Sequence, residues 1–261
     1  MIKKSLSLII PVFNEEGSIE KLVNEINLVL EKNDLSDYEI IIVNDGSNDK
    51  TWDIIGEICK KDKNITGVNL RKNFGKSVAL NIGFSKAEKD YVITLDADLQ
   101  DDPREIPRFI EALDKYDFIS GWKKVRNDPI TKTIPSKIFN YFTKIISGVK
   151  LNDFNCGFKG YKKEVVKNLN LYGELHRYIP LLVNDYGFKI SEIQVNHRPR
   201  LHGKSKFGFE RYYRGLIDLI TVTATTTFFR RPGHLFGGFG LGTGIVGSLM
   251  LLYLFIVWIL N

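Results

Sequence analysis

Positions 235–260 hold no charged residue. At about 1.5 Å per residue, a helix through that run is roughly 39 Å long, enough to cross a hydrocarbon core of about 30 Å. A core helix of a soluble protein would be shorter and polar on one face, so the run predicts a membrane helix. Arg230 and Arg231 precede it, with Arg211 and Arg214 upstream. By the positive-inside tendency, the domain before the span is expected in the cytoplasm. Positions 207–229 have helical apolar spacing interrupted by those arginines, as expected of an amphipathic helix lying in the headgroup plane. Gly240-Leu-Gly-Thr-Gly244 is a small-residue pattern that lets membrane helices approach closely, in keeping with a homo-oligomer.

What precedes the span is ordinary globular sequence. A chain of 261 residues with a net charge of +6 and two cysteines is too long and too poor in cysteine for a disulfide scaffold. Cys59 and Cys156 have neither CxxC spacing nor a histidine cluster beside them, so no zinc site is expected. The basic excess suits an anionic partner without choosing one. Through the first half, compact apolar runs at 6–12, 38–43, 65–70 and 91–95 alternate with helical spacing at 19–31, 51–60 and 77–86. That alternation predicts a mostly parallel sheet covered by helices, with ligands bound beyond the strand C-termini. Further strands are expected at 117–121 and 190–195, a polar basic loop at 122–135, a helix at 136–147 and a second basic loop at 196–206.

The residues after three of these strands carry polar chemistry: Asn14-Glu15-Glu16, Asn44-Asp45-Gly46 and Asp96-Ala-Asp-Leu-Gln-Asp-Asp-Pro103. One Asp after a strand is commonly a turn former or helix cap. Three such ends meeting at one sheet edge point to a site. Residues i and i+2 of an extended chain point the same way, so Asp96 and Asp98 can approach one hard cation and, through it, a diphosphate, with Gln100 next on that side. Gly75-Lys76-Ser77 resembles the tail of a P-loop, but Leu70 stands where its first glycine is needed, and no dinucleotide glycine motif, GxSxG elbow or HExxH pair occurs.

Together, Leu8-Ile-Ile-Pro-Val-Phe-Asn-Glu-Glu16, Val43-Asn-Asp-Gly-Ser47, Asn73-Phe-Gly-Lys76 and Asp96 to Pro103 resemble the nucleotide-sugar half of family 2 inverting glycosyltransferases. Asn152-Asp-Phe-Asn-Cys-Gly-Phe-Lys159, Leu171-Tyr-Gly-Glu-Leu-His-Arg-Tyr-Ile-Pro180 and Gly203-Lys-Ser-Lys-Phe-Gly208 are similar to the polyprenyl-phosphate branch, of the dolichol-phosphate-mannose synthase kind. The resemblance runs from Leu6 to the membrane segment. It implies an α/β GT-A nucleotide-diphospho-sugar transferase fold over 1–206, an interfacial helix at 207–231 and a transmembrane segment at 232–261. The implied reaction is inverting transfer from a UDP- or GDP-sugar to an undecaprenyl- or dolichyl-type phosphate, with Mg²⁺ or Mn²⁺ and no nucleic acid. The alternatives are a family 2 enzyme with a polysaccharide or protein acceptor, or a non-enzymatic membrane scaffold.

By the same resemblance, Pro11, Phe13, Glu15 and Asp45 would surround the nucleotide, with Asp45 placed to hold the base. Asp96, Asp98 and Gln100 would hold the metal and diphosphate, with Asp98 and Asp153 counted as catalytic. The family position at Phe13 is often Tyr, so a hydroxyl is missing here. Lys123, Arg126, Lys132, Ser136 and Arg200 would meet the acceptor phosphate, while Lys204 and Lys206, which follow Arg200, would cover the donor diphosphate or the acceptor. Lys124 or Lys132 stands where relatives often have Arg, giving a point charge in place of a planar fork. Asp153 would orient acceptor or sugar, or form only an Asx turn. His176 reads as a packed core residue. Anchored relatives commonly have two spans and this chain ends at Asn261 after one, which reads as a truncation or a short variant.

Overall fold

The computed structural model describes residues 4–124, 140, 143–144, 148–199, 217, 221 and 232–260, with side chains of the last segment from 237. Leu6–Val12 (β1), Tyr38–Asn44 (β2), Ile65–Asn69 (β3) and Tyr91–Thr94 (β4) are the strands expected from the apolar runs. Phe118–Trp122 (β5) and Ile190–Gln194 (β7) also fall where expected. A further strand, Lys159–Lys162 (β6), does not. All seven form one sheet in the order β3-β2-β1-β4-β6-β5-β7.

Every pairing is parallel except those of β6, which runs antiparallel to both β4 and β5. The expectation of a mostly parallel sheet therefore holds, with one late segment inserted between two earlier strands. β1 and β2 are buried along almost their whole length, as strands covered on both faces must be. The first cover is Ile19–Lys32 (α1), whose Ile19, Leu22, Val23, Ile26, Val29 and Leu30 form one buried stripe at helical spacing. Thr51–Lys61 (α2), Lys76–Lys86 (α3) and Ile106–Leu113 (α4) complete the crossovers. On the same face of the sheet as α1, Phe109 of α4 stacks on Phe158 with ring centroids 4.4 Å apart, closing the core over β6.

β1 has β2 on one side and β4 on the other, so the connections leave it in opposite directions. This is the switch point at which an open α/β sheet forms a crevice beyond its strand ends.

The chain divides into two compact units, Met1–Asp218 and Leu219–Asn261. In the second, helix Pro232–Leu260 contains a stretch, Gly237–Leu260, long and apolar enough to cross a membrane, none of it buried. The segments expected as a helix at 136–147 and an interfacial helix at 207–231 lie almost wholly outside the described residues.

Candidate active site

At the end of β1 the chain turns through Asn14, whose φ of 53° is one that asparagine tolerates better than most residues. That turn is fastened to the loop after β2. Asn14 N–H donates to Ser47 Oγ (2.8 Å), Asn48 N–H donates to Asn14 Oδ1 (2.8 Å), and Glu15 N–H donates to Thr51 Oγ1 (2.9 Å). The fastened turn presents Pro11, Phe13 and Glu15 to a cavity of about 360 Å³. Asp45, Lys76, Asp96 and Asp98 line the same cavity. The three polar strand ends therefore do converge.

Asp45 is buried, and burial pushes its carboxyl up. Two backbone bonds work against that: its oxygens accept from Phe74 N–H (2.7 Å) and Gly75 N–H (2.9 Å). The carboxylate thus latches the loop after β3, which delivers Lys76 to the cavity. Gly46 allows the close approach. Its φ is +67°, and a Cβ there would lie 2.3 Å from the Lys72 carbonyl carbon.

Asp96 leaves β4 among three ammonium groups. Burial raises its carboxyl, but Lys76, Lys123 and Lys159 outweigh that and hold it well below the usual carboxylate range. Lys76 Nζ donates to it directly. Its seat is cut to size by Gly157, where a Cβ would lie 2.3 Å from Asp96 Oδ2. Lys159, buried beneath on β6, donates to the Cys156 carbonyl, and burial pulls its ammonium down to about 8.

Among the described residues no three His, Cys, Asp or Glu side chains converge as a closed metal cage. Two carboxylates at a cavity wall, one in a cradle that excludes any side chain at position 157, fit a hard cation that takes its other ligands from water and phosphate. Gln100 fits less well. Its side-chain amide points to the Arg198 carbonyl (3.5 Å) and its backbone N–H donates to Asp98 Oδ1 (3.2 Å).

The family model for glycosyl transferase family 2 matches residues 7–169, which hold the three converging strand ends with Asp45, Asp96 and Asp98. The chain belongs to this family. It is 38% identical to a dodecaprenyl-phosphate galacturonate synthase of Rhizobium johnstonii, over 95% of this chain and 75% of that one. It is 33% identical to an undecaprenyl-phosphate 4-deoxy-4-formamido-L-arabinose transferase of Aeromonas hydrophila, over 95% and 76%. Among solved structures, glucosyl-3-phosphoglycerate synthase from Mycobacterium tuberculosis, with Mn²⁺, UDP and phosphoglyceric acid, aligns at TM-score 0.63 and 17% identity, covering 85% of this chain and 78% of that one. A mannosyltransferase from Pyrobaculum calidifontis, with GDP-Man and Mn²⁺, aligns at 0.62 and 17%, covering 87% and 65%. The architecture is the GT-A fold.

Seen as a family 2 site, several residues fall elsewhere than expected. Lys123, expected at an acceptor phosphate, is turned inward and pairs with Asp101 at 2.8 Å, with its side chain only 13% exposed. Burial opposes its charge, yet Asp101 and Asp96 keep it protonated to well above the usual lysine range. Asp153 is buried and does form an Asx turn, accepting from Asn155 N–H at 3.1 Å, and it is not part of the cavity wall. His176 is more than core. It lines the cavity with Glu174, its Nδ1 lies 3.0 Å from Ser77 Oγ, and burial, helped by Lys76 and Arg177, holds its imidazole well below the usual range, so it is neutral. Lys76 and Gly157 were missed as site residues. Their signals were present: Lys76 opens a helix at the end of the loop 70–75 that follows β3, and Gly157 follows an Asn/Asp-rich stretch. Arg126, Lys132, Ser136, Arg200, Lys204 and Lys206 lie outside the described residues.

Proposed function

We propose that this chain transfers a sugar from a nucleoside-diphosphate sugar to a polyprenyl phosphate at a membrane surface, inverting the anomeric carbon. The observation that carries the reading is the 38% identity over 95% of the chain to a polyprenyl-phosphate sugar transferase, with the cavity carboxylates inside the matched region. In support, the solved structures similar in fold hold UDP or GDP-Man with Mn²⁺.

Asp96 and Asp98 would hold Mn²⁺ or Mg²⁺, which when bound neutralises charge on the departing diphosphate. Lys76 shares the cavity and offers a second positive charge to the phosphate oxygens. Phe13 packs against the nucleotide, Pro11 and Glu15 border it, and Asp45 shapes the loop at its side and faces the base, uracil in preference to guanine. Arg200, Lys204 and Lys206 remain the basic group assigned to the phosphates, with Arg126, Lys132 and Ser136 on the acceptor side. A lipid phosphate is already ionised at neutral pH, so its oxygen can attack the anomeric carbon without surrendering a proton to the protein. The bond from that carbon to the diphosphate breaks, and its electron pair leaves with the nucleoside diphosphate. Asp153, one oxygen fixed by Asn155, orients the acceptor side and abstracts nothing. Arg230 and Arg231 before the span support a cytoplasmic site. Gly237, Gly240 and Gly244 on one side of the span support a homo-oligomer.

The test is to incubate the full chain in detergent with undecaprenyl phosphate, Mn²⁺ or Mg²⁺ and a panel of UDP- and GDP-sugars including uronic acids. A glycolipid and released nucleotide are expected. Asp96→Ala or Asp98→Ala abolishes product while the chain remains folded. Equal transfer to a water-soluble sugar without phosphate would overturn the acceptor assignment.

A further inference from the structure

Of the four acids between Asp96 and Asp102, two line the cavity and two face the protein. The inward pair is fully engaged. Asp101 pairs with Lys123, accepts from Asp96 N–H (3.4 Å) and forms a backbone bridge with His197. Asp102 accepts from Arg198 Nη2 at 2.6 Å, while Nη1 of the same guanidinium donates to Glu25 of α1, also at 2.6 Å. The backbones are joined as well, with Arg198 N–H donating to the Gln100 carbonyl at 2.9 Å. Between the cavity pair and the inward pair the chain passes through Leu99, buried and at φ 62°, a conformation costly for a non-glycine residue. Such backbone persists only where its surroundings over-determine it.

We propose that Arg198 is a positioning residue: by spanning Asp102 and Glu25 it holds the strained 96–102 turn so that Asp96 and Asp98 present themselves together to the cation and diphosphate. The inference rests on the donor-site reading above. It gives Gln100 and Asp102 the work of joining the turn to the chain leaving β7, two residues before Arg200. The fork matters because one guanidinium reaches two carboxylates on two elements, which a lysine point charge does not. Removing Arg198 does not leave Asp102 as an unpaired buried charge, because exposed Arg104 also binds it, Nε to Oδ1 at 3.0 Å. The fold therefore survives, and the backbone bond to Gln100 with it, while the side-chain tether from Asp102 to α1 is lost.

The experiment titrates Mn²⁺ and UDP on the full chain in detergent by calorimetry, for wild type, Arg198→Ala, Arg198→Lys, Asp102→Asn and Arg104→Ala, with melting temperature as the fold check. For both Arg198 variants the affinity for Mn²⁺ in the presence of UDP is expected to fall about tenfold or more, the size seen for partners of metal ligands. UDP affinity without metal stays within about twofold by the same reasoning, and turnover recovers toward wild type at saturating Mn²⁺. Arg104→Ala titrates like wild type. If Arg198→Ala does not fold, Arg198→Lys and Asp102→Asn carry the test. Unchanged Mn²⁺ affinity in the variants, an equal loss of metal-free UDP binding, or an equal effect of Arg104→Ala overturns the inference alone. Absence of Mn²⁺-dependent UDP binding in the wild type overturns the donor reading and the inference with it.

Discussion

Gly157 and the Asp96 carboxylate approach each other as closely as Gly46 and the Lys72 carbonyl do. Because a Cβ would sit 2.3 Å from Oδ2, Gly157→Ala must displace that carboxylate. A shift of about 1 Å in a catalytic group can cost on the order of a hundredfold in rate, so kcat is expected to fall by about that factor while the melting temperature moves little. Wild-type turnover in this variant would show that the carboxylate need not sit where it does. Asp45→Asn tests the neighbouring latch. An amide offers one oxygen where the carboxylate offers two, so either Phe74 or Gly75 N–H faces an NH₂ donor, the loop loosens, and the KM for donor rises about tenfold, roughly the cost of one bond to a charged acceptor. The acids were legible in the sequence because each follows an apolar strand. Gly157 was not, because its reason for being glycine is a side chain reached only through the sheet.

Elements explain why β6 was hidden. Lys159-Gly-Tyr-Lys162 shows no apolar alternation, yet Lys159 and Tyr161 are both buried. A buried lysine is readable only once the charges of Asp96 and Asp153 beside it are known. The parallel strands and α1 to α3 were legible to within a residue or two because burial on both faces, or on one stripe, leaves a plain pattern. The turn after β4 gives an element-scale prediction. Burial works against the Asp102 charge, but Arg104 and Arg198 prevail and set it at about 2, below its ordinary 3.8. A depressed carboxyl contributes stability that is complete above its unfolded value and is lost as pH falls from about 4 toward about 2. Urea midpoints measured across that range should fall with acid in the wild type and fall less in Asp102→Asn. Parallel curves would remove Asp102 from the acid response.

At the scale of the molecule, helix Pro232–Leu260 was legible from charge alone, whereas the proposed acceptor side rests on loop residues whose basic charge carries no period to read. Among the described residues nothing buries this apolar helix, so the full chain is expected to stay with membranes through high-salt and alkaline carbonate washes. Recovery in the soluble fraction would refute a spanning helix. The sheet order carries one more consequence. β6 sits between β4 and β5 although it follows both in the chain, and the glycine that seats the Asp96 carboxylate lies just before it. A ribosome must therefore deliver residue 162 before the sheet beside Asp96 is complete, and a nascent chain that stops short of it, whatever strands it has already paired, lacks the strand on which that carboxylate's seat is built.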